Sequence, residues 1–186
     1  MKSKGTIKLE TDRLILRKGK MNDAKQIFEN YGKDPLVSRY VVWNRHTNVK
    51  DAENLMKKWE ESYKNDNSYK WVVIEKNTNM LIGSITAVKV DEINKTVALG
   101  YCYGSKWWNN GYATEALKMV IKFFFEKVGV ETIYANHLFQ NVASGRVMEK
   151  AGMKFEGVSR NRMIDKITKK PMSLKNYSII REEYMS

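Results

Sequence analysis

The residues with the clearest chemical potential lie together in Leu99-Gly100-Tyr101-Cys102-Tyr103-Gly104-Ser105-Lys106-Trp107-Trp108-Asn109-Asn110-Gly111-Tyr112-Ala113-Thr114-Glu115-Ala116. The order reads as a strand, a tight loop and the start of a helix. Such a junction leaves the first helical N–H groups without intrahelical partners, and the helix dipole adds partial positive charge. The combination holds a phosphate without any lysine. Gly111 has no Cβ and lets the backbone approach an anion, Asn109 tolerates positive φ, and Ala113 keeps the first turn uncluttered. The same residues would also serve an ordinary strand-to-helix turn. A second polar pair, Asn141 and Ser144, lies about one helical turn apart. Asn141 is suited to cap a helix and Ser144 to sit in its first turn. Cys102 alternates with Tyr101 and Tyr103 and reads as a packed thiol rather than a nucleophile. No cluster suggests a metal site.

The elements that position these residues follow from periodicity and capping. Leu14–Arg17 reads as a strand, and Asn22-Asp23 as the cap of a helix through about Tyr31 carrying Ala24, Ile27 and Phe28 on one face. Asn48 opens a second helix whose Ala52, Leu55, Met56 and Trp59 share a face. Between them lies Tyr40-Val41-Val42-Trp43-Asn44-Arg45-His46-Thr47, aromatic and aperiodic. Strands are expected at 69–75, 80–90 and 96–103, with turns at Asn77-Thr78-Asn79 and Glu92–Lys95. An amphipathic helix from about Thr114 to Val128 buries Leu117, Val120, Ile121 and Phe124. A strand at 132–138, a helix at 142–151 ending on Gly152, and strands near 154–163 and 176–182 complete the order. The expected fold class is α/β: one domain over residues 1–186, a mixed sheet in the order β-α-α-β-β-β-α-β-α-β-β with flanking helices.

Trp107-Trp108-Asn109-Asn110-Gly111-Tyr112-Ala113-Thr114-Glu115-Ala116 resembles the pyrophosphate-binding motif of the GNAT superfamily of N-acetyltransferases. It is most similar to the ribosomal-protein N-terminal acetyltransferase branch, roughly Trp-Gly-x-Gly-Tyr-Ala-Thr-Glu-Ala. It departs from the family pattern at Trp108, where Gln or Arg is common, and from the branch pattern at Asn109, where Gly is common. Asn141-Val142-Ala143-Ser144-Gly145-Arg146-Val147-Met148-Glu149-Lys150-Ala151-Gly152-Met153 resembles the family's Asn-x-x-Ser-x-x-Val-x-x-Lys-x-Gly-Phe block, with Met153 for Phe. Leu14–Arg17, Phe155-Glu156-Gly157 and Tyr177–Tyr184 extend the resemblance over nearly the whole chain.

The resemblance implies acetyl-coenzyme A in a cleft where two central parallel strands splay, with direct attack of an amine on the thioester. It assigns cofactor contacts to Tyr103, Trp108, Asn109, Asn110, Gly111, Tyr112, Ala113, Thr114 and Asn141. It assigns catalysis to the strand containing Tyr101, whose backbone would bind the oxyanion, and to Ser144, which would meet the leaving thiolate. Tyr40, Trp43 and His46 would line the acceptor side, although each also reads as packing. A carboxylate base used by relatives would fall near Met163, which cannot serve; His46 and His137 are the only histidines, and each also reads as a plain polar residue.

Bulk properties narrow the partners. The 186 residues are 42% hydrophobic, enough for a core, and the single cysteine excludes an internal disulfide. No apolar stretch reads as a membrane span and Met1–Lys8 lacks a secretory apolar region, which leaves the cytoplasm as the default compartment. The net charge of +12 reads as spread along the chain, densest at a hairpin tip over Lys166–Lys170, and no nucleic-acid motif accompanies it. A non-catalytic acyl-coenzyme A-binding module and a basic nucleic-acid-binding domain are the alternatives. The acceptor expected is an amine: a protein N-terminus or a small amine. A homodimer is left open.

Overall fold

The computed structural model of the chain describes residues 1–186. Its sheet has eight strands: β1 (Leu9–Glu10), β2 (Leu14–Arg17), β3 (Lys70–Glu75), β4 (Met80–Asp91), β5 (Thr96–Tyr103), β6 (Thr132–Leu138), β7 (Lys154–Ile164) and β8 (Pro171–Ile180). They lie in the order β1-β2-β3-β4-β5-β6-β8-β7. Six α-helices accompany them: α1 (Ala24–Ile27), α2 (Pro35–Ser38), α3 (Val49–Ser62), α4 (Tyr112–Phe123), α5 (Val142–Lys150) and α6 (Arg181–Met185).

Burial divides the helices into two layers. The apolar stripe of α4 and the π turn that follows it, Leu117, Val120, Ile121 and Phe124, packs with Met148 of α5 on one sheet face, against Leu16, Val73, Ile85, Val97, Leu99 and Ile133. On the other face Ala24 and Ile27 of α1 and Ala52, Met56 and Trp59 of α3 cover Val72, Ile74 and Leu81. Strand side chains alternate between faces, so one strand feeds both cores.

One pairing shapes the site. All neighbouring strands are antiparallel except β5 and β6, which run parallel and pair only over Thr96–Ala98 and Thr132–Tyr134. Beyond Ala98, β5 keeps its register with β4 through Tyr103 but has no partner on its other edge, while β6 continues along β8. The sheet therefore opens in a wedge bounded by Leu99–Tyr103 and Ala135–Leu138. This is the splay expected from the resemblance.

Several boundaries differ from the sequence expectations. The first helix is a composite: a 3₁₀ turn at Met21–Asp23, α1, then a π turn at Phe28–Gly32. Asn22 does not cap it; the Asp23 carboxylate accepts the Lys20 N–H at 2.8 Å and pairs with Arg17 at 2.7 Å. The α4 helix starts at Tyr112, immediately after Gly111, and its last turn, Phe124–Val128, is also π. The final strand covers Pro171–Ile180 instead of 176–182, and Arg181–Met185 are helical. Polar residues on both faces of Ser173–Asn176 hide the period-2 pattern there. β1, α2 and α6 are too short to leave a periodic trace.

Candidate active site

The loop from β5 to α4 is built around backbone conformations that few residues adopt. Gly111 has φ +79° and Asn109 has φ +62°, the latter as its residue type leads one to expect. The first α4 bond runs from the Glu115 N–H to the Gly111 carbonyl at 3.0 Å. The N–H groups of Tyr112, Ala113 and Thr114 consequently have no intrahelical acceptor. Trp108 closes the loop by donating its indole N–H to the Tyr103 carbonyl at 2.8 Å, and the Asn110 side chain donates to the Trp108 carbonyl at 3.0 Å. These features fit the pyrophosphate of acetyl-coenzyme A: free donors on a twelve-residue helix, with no side chain at Gly111 to obstruct approach.

Arg13 and Glu115 fix this loop, and sequence reasoning passed over both. The Glu115 carboxylate accepts from Thr11 Oγ1 at 2.5 Å, from the Arg13 N–H at 3.1 Å and from Arg13 Nε at 2.7 Å. Arg13 also donates to the Asn110 carbonyl at 3.0 Å and lies 4.6 Å from the Tyr112 ring centroid. The start of β2 thus holds the start of α4. Burial pushes the Glu115 carboxyl up, but the bonds from Thr11 and Arg13 outweigh it and leave the group below its ordinary value. The Tyr112 hydroxyl donates to Glu75, which adds a third tether.

At the wedge, Tyr101 of β5 meets Ser144 of α5. The phenol oxygen is 2.9 Å from the Ser144 carbonyl and 3.0 Å from Ser144 Oγ. Burial raises the Tyr101 phenol far above its ordinary value, so it stays protonated and acts only as a neutral donor or acceptor. The open edge of β5 adds backbone donors. Gly104 donates its N–H to the Ile82 carbonyl of β4 at 2.9 Å, and alternation along the strand turns the N–H groups of Tyr101 and Tyr103 toward the wedge. The Tyr103 side chain is not available there: it is buried in the core against Gly83, so only its backbone reaches the cleft.

Asn141 precedes α5 but makes no side-chain capping bond, contrary to the capping expectation. Its carbonyl accepts the Ser144 N–H at 3.0 Å, and its amide side chain is left free at the helix entrance. Gly145 is required behind the site, because a Cβ there would lie 2.7 Å from His137 Nε2. His137 is buried between Gly145 and Tyr177, which it stacks on at 5.5 Å, and burial lowers its pKa. It supports α5 from beneath Gly145.

Two of the residues expected on the acceptor side, Trp43 and His46, lie together on the opposite face of β5. Trp43 lies between Tyr31, at 6.4 Å, and His46, at 5.3 Å between ring centroids. The His46 Nδ1 is buried without a partner and turned toward Gly32, where a Cβ would sit 2.6 Å away. Burial lowers the His46 pKa, and Asp51 only partly opposes this. Tyr40 is half-buried under Arg39, at 5.6 Å. Tyr31 is buried near Cys102, whose thiol is pushed up to about 11 by burial and lies 3.3 Å from Ser84 Oγ. Cys102 is thus the packed thiol expected. Met163 pairs with Met172 in the closing hairpin. The structure brings Tyr101 to Ser144 and Trp43 to His46, and the two pairs flank β5 from opposite faces.

Comparison with known proteins agrees with this geometry. Residues 13–154 match the model of the acetyltransferase (GNAT) domain. The uncharacterized N-acetyltransferase YoaA of Bacillus subtilis (strain 168) is 31% identical over 173 residues, covering 93% of this chain and 96% of the relative. A GNAT-family acetyltransferase from Bacillus anthracis superposes with TM-score 0.82 at 28% identity, covering 95% of this chain and 99% of that one. The ribosomal-protein-S5-alanine acetyltransferase from Vibrio fischeri shares the fold, with TM-score 0.83 at 18% identity and coverage of 95% and 97%. No helix is long and apolar enough to cross a membrane. The wedge, the left-handed loop and the family match converge: the chain belongs to the GNAT acetyltransferase family, and it is an N-acetyltransferase that uses acetyl-coenzyme A.

Proposed function

We propose that this enzyme acetylates the α-amine of a peptide or protein N-terminus by direct attack in a ternary complex. The observation that carries the reading is the lack of a base in the cleft. The Tyr101 phenol is held protonated, partial burial makes His46 a weaker base than a free imidazole while its Nδ1 is turned toward Gly32, and His137 lies beneath Gly145. An amine must be neutral to attack. With ordinary pKa values of about 7.8 for an α-amine and about 10.4 for lysine, roughly 14% and roughly 0.04% are neutral at pH 7. The ratio of about 350 equals about 3.5 kcal/mol of barrier. A site without a strong base loses least with an α-amine. The name of the Vibrio fischeri neighbour, a ribosomal-protein-S5-alanine acetyltransferase, points the same way for that protein.

The residues have separate roles in this reading. Acetyl-coenzyme A supplies the acetyl thioester. The N–H groups of Tyr112, Ala113 and Thr114 hold its pyrophosphate, with Asn109, Asn110, Gly111 and Trp108 shaping the loop. The free Asn141 amide meets the pantetheine arm. The N–H groups on the open edge of β5 at Tyr101 and Tyr103 stabilise charge developing on the carbonyl oxygen. Ser144 gives a hydrogen bond to the departing sulfur, and Tyr101 orients that hydroxyl. Tyr40, Trp43 and His46 form the wall on the acceptor side. The test is an acceptor screen with acetyl-coenzyme A that follows release of the free thiol. Turnover is expected with lysine-free peptides bearing a free N-terminus, and turnover confined to amines of ordinary high pKa would overturn the reading.

A further inference from the structure

Most of the net charge is concentrated in two segments that the fold brings together. Residues 33–50 contain Lys33, Arg39, Arg45 and Lys50 against Asp34 alone. Residues 157–175 contain Arg160, Arg162, Lys166, Lys169, Lys170 and Lys175 against Asp165 alone. These 37 of 186 residues therefore hold +8 of the total +12.

A single side chain joins the two segments. Lys166, at the tip between β7 and β8, sends its ammonium into the carbonyls of Ser38, Val41 and Trp43, the last two at 3.0 and 2.6 Å. Three donors meet three acceptors, and no carboxylate takes part. The hairpin is preset for this contact, since the Asp165 carboxylate accepts the N–H groups of Ile167 and Thr168, each at 2.7 Å. Asp34 is likewise engaged, by the N–H groups of Leu36 at 2.9 Å and Ser105 at 3.2 Å. Both acids turn inward, and of the ten basic residues only Lys33 has a carboxylate partner, Glu29. Exposed Arg39 and Arg45 flank the loop carrying Tyr40, Trp43 and His46, and the hairpin that Lys166 ties to this loop carries exposed Arg160, Arg162, Lys169 and Lys170, which together form a basic rim.

We propose that this rim selects an anionic acceptor: a peptide whose N-terminal residue is followed by acidic side chains. The inference rests on the α-amine reading above and adds the charge of what carries the amine. A cleft walled by one sign of charge raises the local concentration of the opposite sign and repels its own. Polyamines and basic peptides meet the same field as repulsion.

The experiment uses three lysine-free peptides with the same first residue, followed by acidic, neutral or basic side chains. At low ionic strength kcat/KM for the acidic peptide is expected to exceed that for the basic one by at least about tenfold, and the gap should shrink as salt screens it. The R160E/R162E double variant lies at exposed positions outside the catalytic machinery. It should abolish or invert the order while the acetyl-coenzyme A Kd stays within about twofold. Equal rates on all three peptides would overturn the charge argument and leave transfer to an α-amine intact. Transfer to none, with acetyl-coenzyme A still bound, would instead overturn the α-amine reading. A small carboxylate-bearing amine outpacing the acidic peptide would overturn the peptide assignment. Tight, salt-sensitive binding of duplex RNA without any peptide preference would make the rim a nucleic-acid surface and refute the proposal.

Discussion

At the scale of single residues, Gly111 offers the sharpest test of the cofactor loop. Its φ of +79° excludes β-branched side chains without strain, and an added Cβ would also meet Arg13 at 3.4 Å. Gly111→Val should raise the acetyl-coenzyme A Kd at least about tenfold, or about 1.4 kcal/mol. Asn109→Gly should bind almost normally, because glycine accepts the same backbone. Calorimetry on the folded variants decides between a loop that holds the cofactor and one that merely turns. Ser144→Ala should lower kcat more than it weakens acetyl-coenzyme A binding, since the hydroxyl acts on charge that develops only in the transition state. Unchanged kcat within about twofold, worth about 0.4 kcal/mol, would reduce Ser144 to a structural residue. Asn109 was legible because positive φ restricts residue type, and Gly111 because a close backbone approach to an anion calls for a residue without Cβ. Arg13 and Glu115 were not, because their bond joins positions 102 residues apart and neither side chain is unusual in its local context. Asn141 misled in part, for a helix entrance and a pantetheine contact call for the same side chain.

Among the elements, the loop after α2 depends on a remote anchor. Backbone bonds secure its ends, from Tyr40 to Val37 and from His46 to Gly32, but none involves residues 41–45. Lys166 fills that gap through Val41 and Trp43. Lys166→Met keeps an apolar stem and removes the donors. Amide exchange in segment 38–48 should then accelerate at least about tenfold, while that of β3 and β4 is unaltered. Lys166→Arg should rescue only in part, since a planar fork does not match three converging carbonyls. Unchanged exchange in the Met variant would show that the loop holds itself. The elements that sequence located best, β5 and the body of α4, carry strong period-2 or helical patterns and sharp end signals. The closing hairpin was placed but mis-bounded, because its exposed strands need no apolar alternation to pair.

For the molecule as a whole, His137 is buried and His46 half-buried, and both have pKa values below the ordinary range, mainly through desolvation. On acidification the unfolded chain takes up protons at about pH 6.5, before the folded state does. Stability should therefore fall as pH drops below about 6.5 and rise again with pH. Thermal melts between about pH 7 and about pH 5 should follow this trend, and a His46→Asn/His137→Asn variant should show a shallower slope than the parent. A parent Tm independent of pH in that window would contradict the burial of neutral imidazoles. The fold class was legible because local periodicities, caps and two motifs agreed on one order of elements. The meeting of the two basic segments was not, because they lie more than 100 residues apart and are joined through Lys166.

The central claim is transfer of an acetyl group to an α-amine in a cleft that lacks a strong base. Its most direct measurement compares two peptides of one sequence with acetyl-coenzyme A at neutral pH. One keeps its N-terminus free and has its lysine side chain blocked, and the other has the reverse. The free N-terminus should be acetylated faster, with Ser144→Ala slowing that reaction and Gly111→Val raising the acetyl-coenzyme A concentration it requires. Faster acetylation of the N-terminally blocked, lysine-bearing peptide would contradict the account.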